Sequence, residues 1–295
     1  MSGAPPGNCE APAQPEDALA NLAGWVGRTE ARTDTVSAAA VAALFALLDR
    51  DDPWPRRGDP MPPLAHWLHF LPTTRQSELG PDGHARRGDF LPPVPLPRRM
   101  WAGSRLEFLR PLAVGDTISR LSRIAGVQVK RGRSGPLAFV TVRHEVSDAG
   151  GLAITDEHDI VYRGLTGTAP APVPAPAGEA WSRTVQPDPV LLFRYSAVTF
   201  NGHRIHYDRP YCTGVEGYAG LVVHAPLTAT LLLDLLRRQR PGVDLAAFSF
   251  RALRPLFDGA PFTACGLPDD PAKGARLWTR DAQGALAMEA FATWR

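Results

Sequence analysis

The chain is predicted to adopt an α+β fold of two tandem units, each a curved antiparallel sheet around one helix. Three observations predict this. Strand-like runs fall into two groups, at residues 104–109, 117–129, 138–146 and 153–162, and again at 246–252, 262–266, 275–279 and 286–293. Between the groups, residues 169–177 alternate Pro with Ala or Val, a composition that makes a stiff extended linker. Finally, Leu109-Arg110-Pro111-Leu112-Ala113-Val114-Gly115 is echoed by Leu253-Arg254-Pro255-Leu256-Phe257-Asp258-Gly259, and Arg254 lies 144 positions after Arg110, close to half of the 295 residues. A strand, a Pro-Leu corner and a new strand repeated at that offset point to duplication. A sheet that buries one face against a helix is an α+β layer.

In chain order, residues 1–18 read as disordered, 19–165 as the first unit, 166–183 as the linker region and 184–295 as the second unit. The alanine-rich apolar run over 36–48 predicts a helix, closed by Asp49-Arg50-Asp51-Asp52-Pro53. Residues 54–100 are dense in Pro, Gly, Trp and His and predict a long irregular excursion, the kind of ordered loop that often carries function. Gly132-Arg133-Ser134-Gly135 marks a turn between strands. After the linker, residues 191–199 read as a strand and 227–238 as a buried or amphipathic helix. Pro226 suits the first turn of that helix, and Arg237, Arg238 and Arg240 suit its negative end. In the first unit the matching position is read as Phe90-Leu91-Pro92-Pro93-Val94-Pro95-Leu96-Pro97, which cannot be a regular helix. The first unit is therefore expected to have lost or displaced its central helix.

Composition excludes several classes. Apolar content of 44% with 21% charged residues is that of a globular chain, and no apolar run approaches the ~20 residues that span a bilayer. A net charge of +2 gives no reason to expect nucleic acid. Residues 1–16 are rich in Ala and Pro without an apolar core, so no secretory signal is expected. Cys9, Cys212 and Cys265 are far apart and odd in number, which suits a reducing cytoplasm, and no His/Cys/carboxylate set shows metal-ligand spacing. Only Lys130 and Lys273 are lysines among 32 basic residues; coding bias explains this, although arginine forks also suit phosphate and carboxylate ligands.

The chemistry concentrates in Asn201-Gly202-His203-Arg204-Ile205-His206-Tyr207-Asp208, which places two imidazoles, an amide and a carboxylate within one short segment. Gly220-Leu221-Val222-Val223-His224-Ala225-Pro226-Leu227 follows, ending where the apolar helix begins and offering free N–H groups at a positive dipole end. A base beside such a site is what chemistry next to a thioester or ester carbonyl requires.

Residues 193–208 resemble the hydratase motif of MaoC-like hot-dog proteins. In the first half, Arg99-Met100-Trp101-Ala102-Gly103-Ser104-Arg105, Thr141-Val142-Arg143-His144-Glu145 and Glu157-His158-Asp159-Ile160-Val161-Tyr162-Arg163 resemble the mesaconyl-CoA and itaconyl-CoA hydratase group. The likeness covers most of residues 20–295 and implies a tandem (double) hot-dog fold and cofactor-free hydration or dehydration of an acyl-CoA thioester. It makes His206 the catalytic base. Asn201 stands where the motif carries an aspartate, His203 where it carries an asparagine, and Arg204 where it carries a proline. An amide is not basic near neutral pH, so Asn201 is expected to orient water while His206 acts, with His203 available for a second proton role. Ala225 takes the oxyanion position of the family's helix start. Asp208 is expected to support the loop and to hold an imidazole tautomer.

Arg98, Arg99 and Arg204 are candidates for a CoA phosphate or a substrate carboxylate, and His66, His69, His84, His144 and His158 read as structural. Trp67 and Trp101 read as core. The partner expected is an acyl-CoA; an acyl carrier protein thioester and a homodimer stay open, with no membrane or nucleic-acid partner. Alternatives are a 3-hydroxyacyl-thioester dehydratase of fatty-acid metabolism and a non-catalytic thioester-binding hot-dog.

Overall fold

The computed structural model describes residues 19, 21–132, 135–165, 171–270 and 273–295. The disorder expected over 1–18 lies outside these residues, as do 166–170 of the linker region. Ten strands form one antiparallel sheet: β1 (Thr29–Thr35), β2 (Arg98–Phe108), β3 (Thr117–Gly132), β4 (Gly135–Asp148), β5 (Gly151–Arg163), β6 (Trp181–Val185), β7 (Leu245–Ala252), β8 (Phe262–Asp270), β9 (Gly274–Arg280) and β10 (Leu286–Trp294). Their order is β1-β3-β4-β5-β2-β7-β10-β9-β8-β6, so each half runs the same succession outward from a shared seam. At the seam Gly103 pairs with Arg251 and Leu106 with Phe248. A Cβ on Gly103 would lie 2.5 Å from the Phe250 carbonyl oxygen, so only glycine lets the two halves join there.

Both edge strands are absent from the sequence reading. β1 is Thr-Glu-Ala-Arg-Thr-Asp-Thr with no buried residue, and an edge strand of this polarity carries no apolar alternation to detect.

The duplicated corners build the same geometry. The Leu109 and Leu253 N–H groups donate to Ala153 O and Ala287 O, both at 2.8 Å. Met61 N donates to Leu112 O at 2.8 Å, as Val223 N does to Leu256 O at 2.9 Å. Gly115 and Gly259 hold φ of 91° and 86°.

The helices are α1 (Ala38–Leu47), α2 (Pro189–Val198), α3 (Arg209–Gly214) and α4 (Ala225–Gln239). Ser37 caps α1, accepting from Ala40 N. The strand expected over 191–199 is instead α2. Asp188 is its N-cap, accepting from Leu191 N at 2.7 Å, and Pro189 occupies the first turn. These capping residues outrank the aromatic and β-branched content that suggested a strand.

Helix α4 is buried at every residue from Leu227 to Leu236, including Thr228, Thr230 and Asp234. It packs against β6, β8, β9 and β10 and reaches β2 of the first half. Its one buried carboxylate, Asp234, is satisfied by Arg50 (2.9 Å), Arg183 (2.7 Å) and Arg238 (2.7 Å), and Arg238 also donates to Leu48 O at the end of α1.

The corresponding bonds also locate the missing helix of the first half. Since Met61 matches Val223, the equivalent of the α4 start is Pro62 onward, not residues 90–97. Only a single 3₁₀ turn, Ala65–Leu68, survives there. It is pinned by the fully buried Asp156 of β5, which accepts from Trp67 Nε1 (2.8 Å), His158 Nε2 (2.7 Å) and His66 Nε2 (3.2 Å). Trp67 and Trp101 pack edge to face at 5.0 Å between centroids. Both are half-buried and pack against the core, and a polar cluster replaces the apolar helix of the second half. Among the described residues no helix is long and apolar enough to cross a membrane.

Candidate active site

Helix α2 ends by a device that aims the chain into the site. Asn201 N donates to Ser196 O and Phe200 N to Ala197 O, with Phe200 at φ 48°, a Schellman stop made by a residue other than glycine. The Asn201 Oδ1 then accepts from His203 N at 3.0 Å, which shapes the turn and leaves the amide nitrogen to donate. A 3₁₀ turn over Arg204–His206 follows.

His206 is clasped to the strand bridge before α4. Val222 N donates to Ile205 O at 3.0 Å, and His206 Nδ1 lies 2.7 Å from Val222 O. A carbonyl only accepts, so Nδ1 carries the proton and Nε2 holds the basic lone pair. The ring is buried, and burial pushes its pKa down to about 4 against the partial support of the Val222 carbonyl. It is therefore a neutral imidazole at ordinary pH.

The His224 ring stacks on it, with centroids 3.6 Å and planes 18° apart. His224 in turn meets Ser196 Oγ at 2.9 Å from Nε2. His224 is the N-cap residue of α4, so the next N–H, that of Ala225, sits one residue from the stacked pair. Among the described residues no acceptor meets that N–H. The base predicted at His206 and the donor predicted at Ala225 are thus brought together.

Asp208 caps α3 through Tyr211 N (3.0 Å) and pairs with Arg204 (2.7 Å). These bonds tie it to the loop, and the His206 tautomer is held by Val222 O rather than by this carboxylate. Arg204 also covers the Tyr211 ring at 4.1 Å and binds Pro81 O, while Arg98 pairs with Glu216 at 3.2 Å.

The first half contributes residues that sequence reasoning missed. The loop that replaces its helix docks on the motif: Arg204 N donates to Asp82 O at 2.9 Å, and a Cβ on Gly83 would lie 1.9 Å from Gly202 O. This carries His84 to 4.2 Å from His203, whose ring stands 5.4 Å from and perpendicular to His206. Asp82 accepts from His84 Nδ1 at 3.2 Å.

Burial, helped by the Arg99 charge, pushes His84 down to about 4. Burial and then the neighbouring His84, His206 and Arg99 hold His203 far below the usual imidazole range. Asp82, His84 and His203 have ligand atoms within 4.8 Å of one another, a three-donor set whose members are too distant in sequence to show a spacing. The adjacent Arg99 guanidinium opposes a cation there, and the Asp82–His84 bond satisfies two of the three donors. The only available signal for these residues was the density of Pro, Gly and His in the 54–100 loop.

Comparison with known proteins gives a consistent family. The model of hydroxyacyl-thioester dehydratase type 2 matches residues 64–258. A mesaconyl-C(4)-CoA hydratase of Chloroflexus aurantiacus is 49% identical over 278 residues, covering 92% of this chain and 97% of that protein. The mitochondrial hydroxyacyl-thioester dehydratase type 2 of Schizosaccharomyces pombe is 28% identical over 229 residues, 69% of this chain and 76% of that one. A Mycobacterium tuberculosis protein described as having a double hot-dog fold superimposes with a TM-score of 0.56 at 15% identity, over 94% of this chain and 97% of that one. With the paired five-strand halves and the single long helix, these likenesses place the chain in the hydroxyacyl-thioester dehydratase type 2 family, with the double hot-dog architecture.

Proposed function

We propose that the chain is a hydro-lyase that adds water reversibly to an enoyl-CoA whose acyl group is short and dicarboxylic, as the name of its 49%-identical relative suggests. The observation that carries this reading is the His206 Nδ1 bond to Val222 O, which leaves Nε2 as a neutral base beside the N-terminus of α4.

The thioester carbonyl oxygen accepts from Ala225 N–H at the positive end of the helix dipole, which draws electrons from the β-carbon. The Asn201 amide nitrogen donates to a water, and His206 Nε2 takes its proton as the oxygen bonds to the β-carbon. The alkene pair moves toward the carbonyl as an enolate, and the His206 imidazolium returns the proton to the α-carbon. The sum is one water added; run backwards, the same steps dehydrate a 3-hydroxyacyl thioester. Catalysis falls to the second half (184–295), and the helix-poor first half (19–165) receives the acyl group. The free, buried thiols of Cys212 and Cys265 support a reducing cytoplasm as the compartment.

Loss of the conjugated enoyl absorbance with crotonyl-CoA and mesaconyl-C4-CoA tests the reading. Wild type should turn over at least one of them, and His206→Ala should be slower by about 10²–10⁴. Turnover that survives in His206→Ala sinks the mechanism. No turnover of any enoyl thioester by wild type would leave a thioester-binding protein.

A further inference from the structure

Four arginines, Arg87, Arg98, Arg99 and Arg204, approach the polar wall of the site, and three of them are engaged. Arg87 donates to the carbonyls of Val94, Leu96 and Pro97 and lies over the Tyr162 ring. Arg98 pairs with Glu216 and covers Tyr218. Arg204 pairs with Asp208. Neither Arg87 nor Arg99 shows an ion pair with a described carboxylate, and of the two only Arg87 is tied to backbone carbonyls.

Its direction is set by register. Arg99 lies opposite Tyr162 across β2 and β5, and directly opposed residues share a face of the sheet. Tyr162 is fully buried on the inner face, so Arg99 points inward as well. The Tyr162 hydroxyl is buried, meets no partner in good hydrogen-bond geometry, and has the Arg99 guanidinium as its polar neighbour. The Arg99 charge bears on that phenol and on the His84 and His203 rings. Asp82, the nearby carboxylate, is held by His84 through both its oxygens. The Arg99 guanidinium and the Tyr162 hydroxyl therefore lie together on the inner side of the sheet, beside the His84 and His203 rings.

We infer that Arg99 and the Tyr162 hydroxyl bind a carboxylate carried on the β-carbon of the acyl group, and so select a but-2-enedioyl thioester over an unsubstituted enoyl chain. The inference rests on the hydratase reading above. With the thioester carbonyl on Ala225 N–H and the β-carbon at His206 Nε2, a substituent on that carbon is directed along the row of His203 and His84 toward Arg99. A guanidinium fork matches a carboxylate in two parallel bonds, and an inward cation without a paired carboxylate is relieved by an incoming anion. A long apolar chain in the same place would meet this guanidinium and two polar rings.

Steady-state kinetics of wild type, Arg99→Met and Arg99→Lys with mesaconyl-C4-CoA and crotonyl-CoA test this. Both substrates carry the same CoA phosphates, and only the first carries the β-carboxylate. The ratio of kcat/KM for mesaconyl-C4-CoA to that for crotonyl-CoA should fall about 100-fold in Arg99→Met and less in Arg99→Lys, which keeps the charge but loses the fork. Equal losses for both substrates would assign Arg99 to a CoA phosphate or to the scaffold and overturn the inference, as would an unchanged ratio. If Arg99→Met fails to fold, the ratio in Arg99→Lys decides.

Calorimetric binding of the saturated pair methylsuccinyl-CoA and butyryl-CoA reads the same preference without turnover. A preference for methylsuccinyl-CoA that Arg99→Met removes supports the carboxylate site even where wild type hydrates neither enoyl thioester, an outcome that would defeat the hydratase reading alone. Equal affinity of wild type for the two overturns the site.

Discussion

His206 and His224 stack face to face, 3.6 Å between centroids, so a charge on one ring opposes a charge on the other. Both are buried, and burial is the leading cause that holds each below the ordinary imidazole value of 6.5. The same cause acts on His69, His84, His144 and His203. For His206 the folded value is about 4, so the base stays unprotonated well into the acid range. The kcat/KM profile should therefore be flat down to about pH 5 and fall below it; an inflection near 6.5 would contradict a buried base.

Stability follows with the opposite emphasis. These histidines have folded values below their unfolded values, so the unfolded chain binds more protons between the two. Stability is then complete above about pH 6.5 and declines as the pH falls toward about 4, by at most about 1.4 kcal/mol per pH unit for each such group. Thermal unfolding should show the midpoint dropping between pH 7 and pH 5, in a range where activity per folded molecule is still full.

Ala225→Pro isolates the oxyanion donor. Proline is tolerated at the first helical position because it removes an N–H that no helical carbonyl would accept. His224, with φ −61° and ψ 130°, already has the extended conformation required before proline. The helix should persist and the melting temperature change little, while kcat falls about 10²–10³. A variant with full kcat would show that the thioester carbonyl does not use this N–H.

Gly83→Ala tests whether the first-half loop completes the site. The new Cβ would collide with Gly202 O at 1.9 Å, and Gly83 sits at φ 87°, where an L side chain is strained. The loop should back away from the Asn201–His206 segment, lowering kcat/KM about 10–100-fold through displacement of His84 and His203. Gly58→Ala is the control, since Gly58 has φ 91° but nothing within 4 Å of the added carbon. It should lose stability by about 1 kcal/mol without the kinetic defect. Equal kinetic effects in the two variants would mean that strain, not loop docking, is being measured.

The sequence by itself determined the sheet class, the eight inner strands, the apolar helix and the pairing of a histidine loop with a helix start. Those features are local. Apolar periodicity, a Pro before an apolar run and a motif of close spacing are all written in neighbouring residues. It also carried the duplication, since the Leu-Arg-Pro-Leu corners at 109 and 253 repeat the same hydrogen bonds.

Tertiary structure decided the rest. Helix α2 was read as a strand because its apolar residues suit either element; Asp188 and Pro189, read as caps, would have marked it. The place of the lost helix was legible only through the bond from Met61 to Leu112, which no spacing encodes. Asp82 and His84 lie some 120 residues from the Asn201–His206 segment and join it only because a long loop of one half folds over the other. Which arginine finds a carboxylate partner is likewise a long-range outcome. Arg98 and Arg99 are adjacent in sequence, yet one turns to Glu216 and the other, set by cross-strand register, turns inward. Local order follows from the chemistry of neighbours, whereas a site assembled from two sheets depends on contacts that exist only after both have folded.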